Sequence, residues 1–213
     1  KAHSGFFTVH TEQGSVVCTL RGRLKRGRSD SNLAAVGDRV TIRVSPEDTG
    51  VILAVATRER VLARRMGSSK GRRRPAYQDR PLEQIILANP DQALFVFSCG
   101  QPAPKLGMLD RFLVVAEAND ITAVVCANKI DQVGYQDARD VFRVYEQLGY
   151  VVLYCSAKTG DGVEAVRKRL AGMVSVFAGP SGAGKSSLLN AVQPGLGLRV
   201  RSVSGATSKG RHT

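Results

Sequence analysis

The 213-residue chain is 43% hydrophobic and 23% charged, an ordinary globular composition with room for one or two domains, each with its own core. No apolar run approaches the roughly 20 residues that a membrane-spanning helix needs. Lys1-Ala2-His3-Ser4-Gly5 has no signal-peptide core, so the expected setting is the cytoplasm, or an organellar stroma or matrix for a processed chain. Lys and Arg outnumber Asp and Glu by 31 to 18, a formal charge of +13. Residues 1–90 hold 17 basic against 8 acidic residues and residues 91–213 hold 14 against 10, so a polyanionic partner is expected at the front of the chain. Cys18, Cys99, Cys126 and Cys155 are widely spaced, form no Cys-x-x-Cys pair and read as buried small hydrophobes rather than ligands.

Residues 4–60 alternate short β-like runs with turn residues. Gly5–His10, Ser15–Leu20, Gly37–Val44 and Val51–Val55 have the spacing of a small barrel, and a five-stranded OB barrel fits the length. Between the second and third runs lies Arg21-Gly22-Arg23-Leu24-Lys25-Arg26-Gly27-Arg28, a phosphate-seeking loop. Arg21, Arg23, Lys25, Arg26, Arg28 and Arg39 are the candidate RNA contacts. Residues 61–81 turn basic and Gly/Ser-rich and are expected to be a linker.

From residue 82 the pattern becomes α/β. The apolar run Ala93–Ser98 reads as a strand covered on both faces, and Met108, Leu109, Phe112, Leu113 and Ala116 follow at helical spacing. A second strand, Thr122–Ala127, runs into Asn128. Val141, Phe142, Val144, Tyr145 and Leu148 mark a helix stopped by Gly149, and a third strand, Val151–Cys155, runs into Ser156. Asp161-Gly162-Val163-Glu164 has capping-box spacing, and Val174–Ala178 is the last strand. Four alternations predict a doubly wound, mainly parallel sheet. The expected organisation is an OB domain over 1–60, a linker over 61–81 and an α/β P-loop domain over 82–213.

Three motifs sit at the ends of those strands. Gly179-Pro180-Ser181-Gly182-Ala183-Gly184-Lys185-Ser186 matches Gly-x4-Gly-Lys-Ser, with Ser187 continuing into a helix. Such a loop turns backbone N–H groups onto phosphates at the positive end of its helix; Lys185 is placed for the β- and γ-phosphates and the Ser186 hydroxyl for Mg²⁺. Asn128-Lys129-Ile130-Asp131 supplies a carboxylate that accepts two hydrogen bonds from guanine N1 and N2, a pair that adenine does not offer. Asn128 is expected to tie this loop to its neighbours and the Lys129 stem to cover the base. Ser156-Ala157-Lys158 offers the Ala157 backbone N–H for guanine O6. The base-reading motifs precede the phosphate loop, which is the order of a circularly permuted GTPase.

With Gly37-Asp38-Arg39-Val40 and Lys209-Gly210-Arg211-His212-Thr213, these motifs make the chain resemble the RsgA (YjeQ) family of circularly permuted, ribosome-associated GTPases over essentially its whole length. The resemblance implies GTP and GDP as ligands, Mg²⁺ held by Ser186 and Thr213, and His212 beside Lys185 in catalysis. It also implies rRNA of the small ribosomal subunit as partner during late assembly, a monomeric state, and a zinc-binding domain that this sequence does not include. The Asp-x-x-Gly motif expected after the Thr213 switch is not in the sequence; Asp131-Gln132-Val133-Gly134 fits it formally but Asp131 is assigned to guanine. This sequence is therefore expected to bind nucleotide and hydrolyse it poorly. Two alternatives stay open: a GTPase with a non-ribosomal partner, and an RNA-binding assembly factor whose nucleotide is structural.

Overall fold

Alternating apolar residues build the first of two units, Lys1–Pro90, while continuous apolar strands build the second, Asp91–Thr213. The computed structural model describes residues 2–3, 5–22, 33–45, 49–65 and 83–198. Among the described residues no helix is long and apolar enough to cross a membrane.

In the first unit the strands are β1 (Ala2–His3), β2 (Phe6–Thr11), β3 (Gly14–Leu20), β4 (Val40–Val44) and β5 (Thr49–Val55). They form one five-stranded sheet in the order β1-β2-β3-β5-β4. All neighbours are antiparallel except β3 and β5, which run parallel. This is the mixed, Greek-key arrangement of a partly open OB barrel. Cys18 and Ile52 fill its inner face at 0% and 1% exposure. Arg58 grips the Asp38 carboxylate with two donors at 2.7 Å, and the Ala35 N–H adds a third bond to it at 2.7 Å. The Asp38 carboxylate in turn raises the Arg58 pKa.

The domain boundary differs from the sequence expectation. β6 (Val61–Arg65) and β7 (Glu83–Ala88) pair antiparallel, so a strand occupies the start of what was read as a linker over 61–81 and its partner follows just after. β7 also belongs with the first unit, not with the domain expected from residue 82. Its end is held there by bonds from Ala88 N to Val36 O at 2.8 Å and from Asn89 Nδ2 to Gly37 O at 3.1 Å. Gly37, at φ +88°, is required at this approach because a Cβ would collide with the Ala88 carbonyl.

The second unit alternates β8 (Gln92–Ser98), α1 (Leu106–Glu117), β9 (Thr122–Asn128), α2 (Tyr135–Gln147), β10 (Val151–Cys155), α3 (Val163–Leu170), β11 (Ser175–Ala178) and α4 (Lys185–Val192). Its sheet is parallel throughout, in the order β10-β9-β8-β11. Leu94, Val96, Val124, Cys126 and Cys155 pack on Val163, Val166, Leu188 and Val192 of α3 and α4. On the opposite face Phe95 and Phe97 meet Phe112 of α1, with ring centroids 5.4 and 6.3 Å apart. Tyr145 of α2 donates to Asp110 of α1 at 2.8 Å, joining the two helices. The alternation explains the uninterrupted apolar run of β8, which is buried from end to end. The capping box expected at Asp161 does not form. Gly162 is the residue before α3, without a side-chain cap, and Asp161 instead accepts from the Thr159 hydroxyl at 2.6 Å.

Candidate nucleotide-binding site

After β8 the chain moves outward through β9 to β10, then crosses back to lay β11 on the other side of β8. Open α/β sheets bind ligands at the carboxyl ends of their strands where the winding reverses in this way. The loops leaving β8, β9, β10 and β11 begin at Cys99, Lys129, Ser156 and Gly179, and these four carry the site.

The phosphate loop joins β11 to α4. Gly179, at φ +148°, passes so close to β8 that a Cβ would strike the Val96 carbonyl oxygen. Gly184, at φ +93°, precedes α4, and a Cβ there would strike Asn128 Nδ2. Neither position leaves room for a side chain, so the loop is held tight against β8 and Asn128. Ser186 and Ser187 follow in the first turn of α4, whose unpaired N–H groups suit an anion. Lys185 Nζ donates to the Gly179 and Pro180 carbonyls, both at 2.9 Å. Burial lowers its pKa, which favours a negative group beside it.

Asn128 fastens three loops together. Its side chain is 1% exposed. Nδ2 donates to Ala183 O at 2.9 Å in the phosphate loop, and Oδ1 accepts from Ala157 N at 3.2 Å and from the Cys155 thiol at 3.8 Å. The Ala157 N–H expected to face a base oxygen is thus engaged with Asn128. Lys129, in the left-handed region at φ 69°, turns its ammonium onto Gly182 O at 2.7 Å and Gln101 O at 2.5 Å. Its stem therefore straps the phosphate loop to the loop after β8. Burial lowers the Lys129 pKa and the nearby Asp131 carboxylate partly opposes this. Asp131 is exposed, and its Oδ1 accepts from the Ser156 hydroxyl at 2.6 Å. Ser156, fully buried, also receives the Lys158 and Thr159 N–H groups at 3.3 and 3.2 Å.

The sequence reading missed the brace from Gln132, whose Oε1 accepts from Gln101 N at 2.7 Å and whose side chain lies where a Cβ on Gly100 would sit. No motif flags this pair, because the contact joins loops 31 residues apart. Of the remaining candidates, Arg21 and Arg39 are exposed on the first unit, with Arg39 3.8 Å from Glu59. Arg23, Lys25, Arg26, Arg28, His212 and Thr213 lie outside the described residues. Among the described residues no cluster of three or more His, Cys, Asp or Glu could hold a metal alone.

Fold and site together define a circularly permuted P-loop domain carried behind an OB barrel. The RsgA GTPase family model matches residues 68–213 and the RsgA N-terminal domain model residues 1–52. The chain belongs to the RsgA GTPase family. It is 43% identical over 98% of its length to the small ribosomal subunit biogenesis GTPase RsgA of Gemmatimonas aurantiaca, and 39% identical over its full length to that of Moorella thermoacetica. The chain spans 66% and 65% of those two relatives. Among solved structures it is similar to YjeQ from Thermotoga maritima, with 35% identity, a TM-score of 0.72, and coverage of 92% of this chain and 64% of that one. It is also similar to YloQ, described as a circularly permuted GTPase, with 33% identity, a TM-score of 0.67, and coverage of 91% of this chain and 62% of that one.

Proposed function

We propose that this chain carries the guanine-nucleotide site and the RNA-docking barrel of a GTPase acting on the small ribosomal subunit late in its assembly. The observation that supports this best is the buried Asn128 side chain, bonded at once to the phosphate loop and to the Ser156-Ala157-Lys158 turn. It brings Asp131, in chain order far ahead of Lys185, to the same edge of the sheet. Relatives named for small-subunit biogenesis point to the partner.

In this reading the Asp131 carboxylate, aimed by Ser156, takes the guanine N1 and N2 hydrogens. The Ala157 contact of 3.2 Å is at the long end for such a bond, so its N–H remains a donor for which guanine O6 competes. The loop from Gly179 to Ser187 wraps the phosphates with backbone N–H groups. Lys185 leaves the Gly179 and Pro180 carbonyls for the β- and γ-phosphates and neutralises charge as the γ-phosphoryl group leaves for water. Ser186 holds Mg²⁺, which supplies charge neutralisation at the phosphates, and Thr213 completes that role; His212 orients the attacking water. The protein acts as a monomer in the cytoplasm, or in an organellar matrix. Arg21, Arg23, Lys25, Arg26, Arg28 and Arg39 attract rRNA phosphates.

Nucleotide specificity tests the base-reading half. Asp131→Asn removes two charge-assisted bonds, so GTP affinity should fall by roughly 100-fold, for a loss of about 3 kcal/mol. Xanthosine triphosphate, whose C2 oxygen accepts where guanine donates, should then bind the variant better than GTP does. Unchanged preference for GTP would refute the base-reading assignment. Turnover by the native-length protein, measured with purified small or large subunits, tests the partner. Stimulation by the small subunit alone is expected, and no response to either would leave a GTPase with another partner.

A further inference from the structure

The loop that leaves β8 carries none of the three motifs, yet it is stitched to the loop that leaves β9. Cys99 N donates to Asn128 O at 2.8 Å, Gln101 N to Gln132 Oε1 at 2.7 Å, and Lys129 Nζ to Gln101 O at 2.5 Å. The short turn Ile130–Gln132, with Lys129 just before it, therefore holds both the N–H and the carbonyl of Gln101. The same ammonium donates to Gly182 O of the phosphate loop at 2.7 Å. Gln132, Gln101, Lys129 and Gly182 thus form one line of contacts from an exposed glutamine to the phosphate loop.

A partly buried ammonium has lost water and must keep its acceptors. Lys129 is half-buried and has two carbonyls, with the Asp131 carboxylate as the nearby competitor. If the Gln101 carbonyl drifts, Lys129 loses one acceptor and is drawn toward Asp131. That shift would release the phosphate loop and occupy the carboxylate proposed to read guanine. Gln132 opposes both by pinning the Gln101 N–H. A second feature converges on the same side chain. Gly100 is not in the left-handed region, so its backbone does not demand glycine. A Cβ there would instead collide with the Gln132 side chain, so the glycine makes room for the brace.

We infer that Gln132 is a positioning residue for the bound nucleotide: it fixes the Gln101 backbone as the anchor from which Lys129 straps the phosphate loop. In this role it touches neither base nor phosphate and acts through Lys129. Its effect falls on how long a guanine nucleotide stays, equally for GTP and GDP, because no γ-phosphate contact is involved. The inference rests on the guanine-nucleotide reading above and deepens it.

The test is stopped-flow release of N-methylanthraniloyl GDP and GTP from the chain. Gln132→Ala should speed release of both roughly 3- to 10-fold, as expected for loss of one exposed hydrogen bond. Gly100→Ala should do the same by pushing the amide aside, and the double variant should be no faster than either single one. Gln132→Glu keeps an Oε acceptor and should release at close to the wild-type rate. In a Lys129→Ala background, Gln132→Ala should change release by less than about twofold. A glutamine that merely stabilised the fold would not give this pattern, because its loss would add to that of Lys129. If both single variants release within about twofold of wild type, or if the Gln132 and Lys129 effects multiply in full, the inference is overturned and the nucleotide reading survives. If wild type holds neither labelled nucleotide, the nucleotide reading fails and this inference fails with it.

Discussion

Removing the Asn128 side chain should damage the second unit in a way that can be sized from its contacts. Asn128→Ala deletes the bond from Nδ2 to Ala183 O at 2.9 Å and the bond from Ala157 N to Oδ1 at 3.2 Å. Ala183 is fully buried, so its carbonyl is left without water or partner, at about 1–3 kcal/mol. Ala157 is half-buried and can rehydrate, so its loss is about 1 kcal/mol. The total is about 3 kcal/mol, which for a unit of this size lowers the melting temperature by roughly 10 °C. Scanning calorimetry with and without GTP reads both consequences. The transition should fall by that amount, and the upward shift caused by nucleotide should shrink, because the Asp131 and phosphate loops are no longer held together. A drop of less than about 2 °C with an unchanged nucleotide shift would refute the idea that this amide fastens the site.

Gly184→Ala should weaken GTP binding at least tenfold, because strain of about 1–3 kcal/mol at φ +93° adds to a collision with Asn128 Nδ2; isothermal titration checks it. Asp38→Ala should destabilise the first unit by about 3 kcal/mol, since it breaks an ion pair whose carboxylate is 2% exposed; thermal circular dichroism reads the loss. Burial pushes the Cys99 and Cys155 thiols up to about 12 from 9.0, and Cys126 shifts in the same direction. At pH 8 the thiolate fractions of Cys99 and Cys155 are roughly 1,000-fold below that of an ordinary cysteine, so alkylation of the native chain should be correspondingly slow at these two sites. Because the folded state keeps protons that the unfolded state releases, stability should be unaffected below pH 9 and fall as pH rises from 9 toward about 12; urea titrations across that window test the sign.

Much of the second unit was legible because its chemistry is local. The run Ala93–Ser98 is apolar on both faces, as a central strand must be, and each motif directly follows a strand. The site's cross-links were only partly legible. Asn128 was expected to tie loops, but the partners Ala183 and Ala157 depend on the strand order, which periodicity does not encode. Gln132 and Gln101 gave no signal, since a glutamine bracing a backbone N–H looks like any polar loop residue. The β6–β7 ribbon was missed for a related reason: its strands are 17 residues apart, across a basic Gly/Ser-rich stretch that resembles a linker. The failed capping box shows the limit of spacing rules, because Gly162 abuts the Tyr154 carbonyl and the Asp161 side chain turns to Thr159.

The place of β11 in the sheet also sets an order of assembly. Paired residues of β8 and β9 lie 30 positions apart and those of β9 and β10 lie 27 apart, but Ser175 of β11 must find Gln92 of β8, 83 positions earlier. During synthesis from the N-terminus, the three strands and the loops proposed to read the base emerge and can pair before β11 exists. Docking of β11 is then the late, slow event, and it alone brings in the phosphate loop. The nascent chain thus gains the surface for a base well before it gains any grip on a phosphate, so nucleotide binding should appear abruptly, with the closing of this one strand pair.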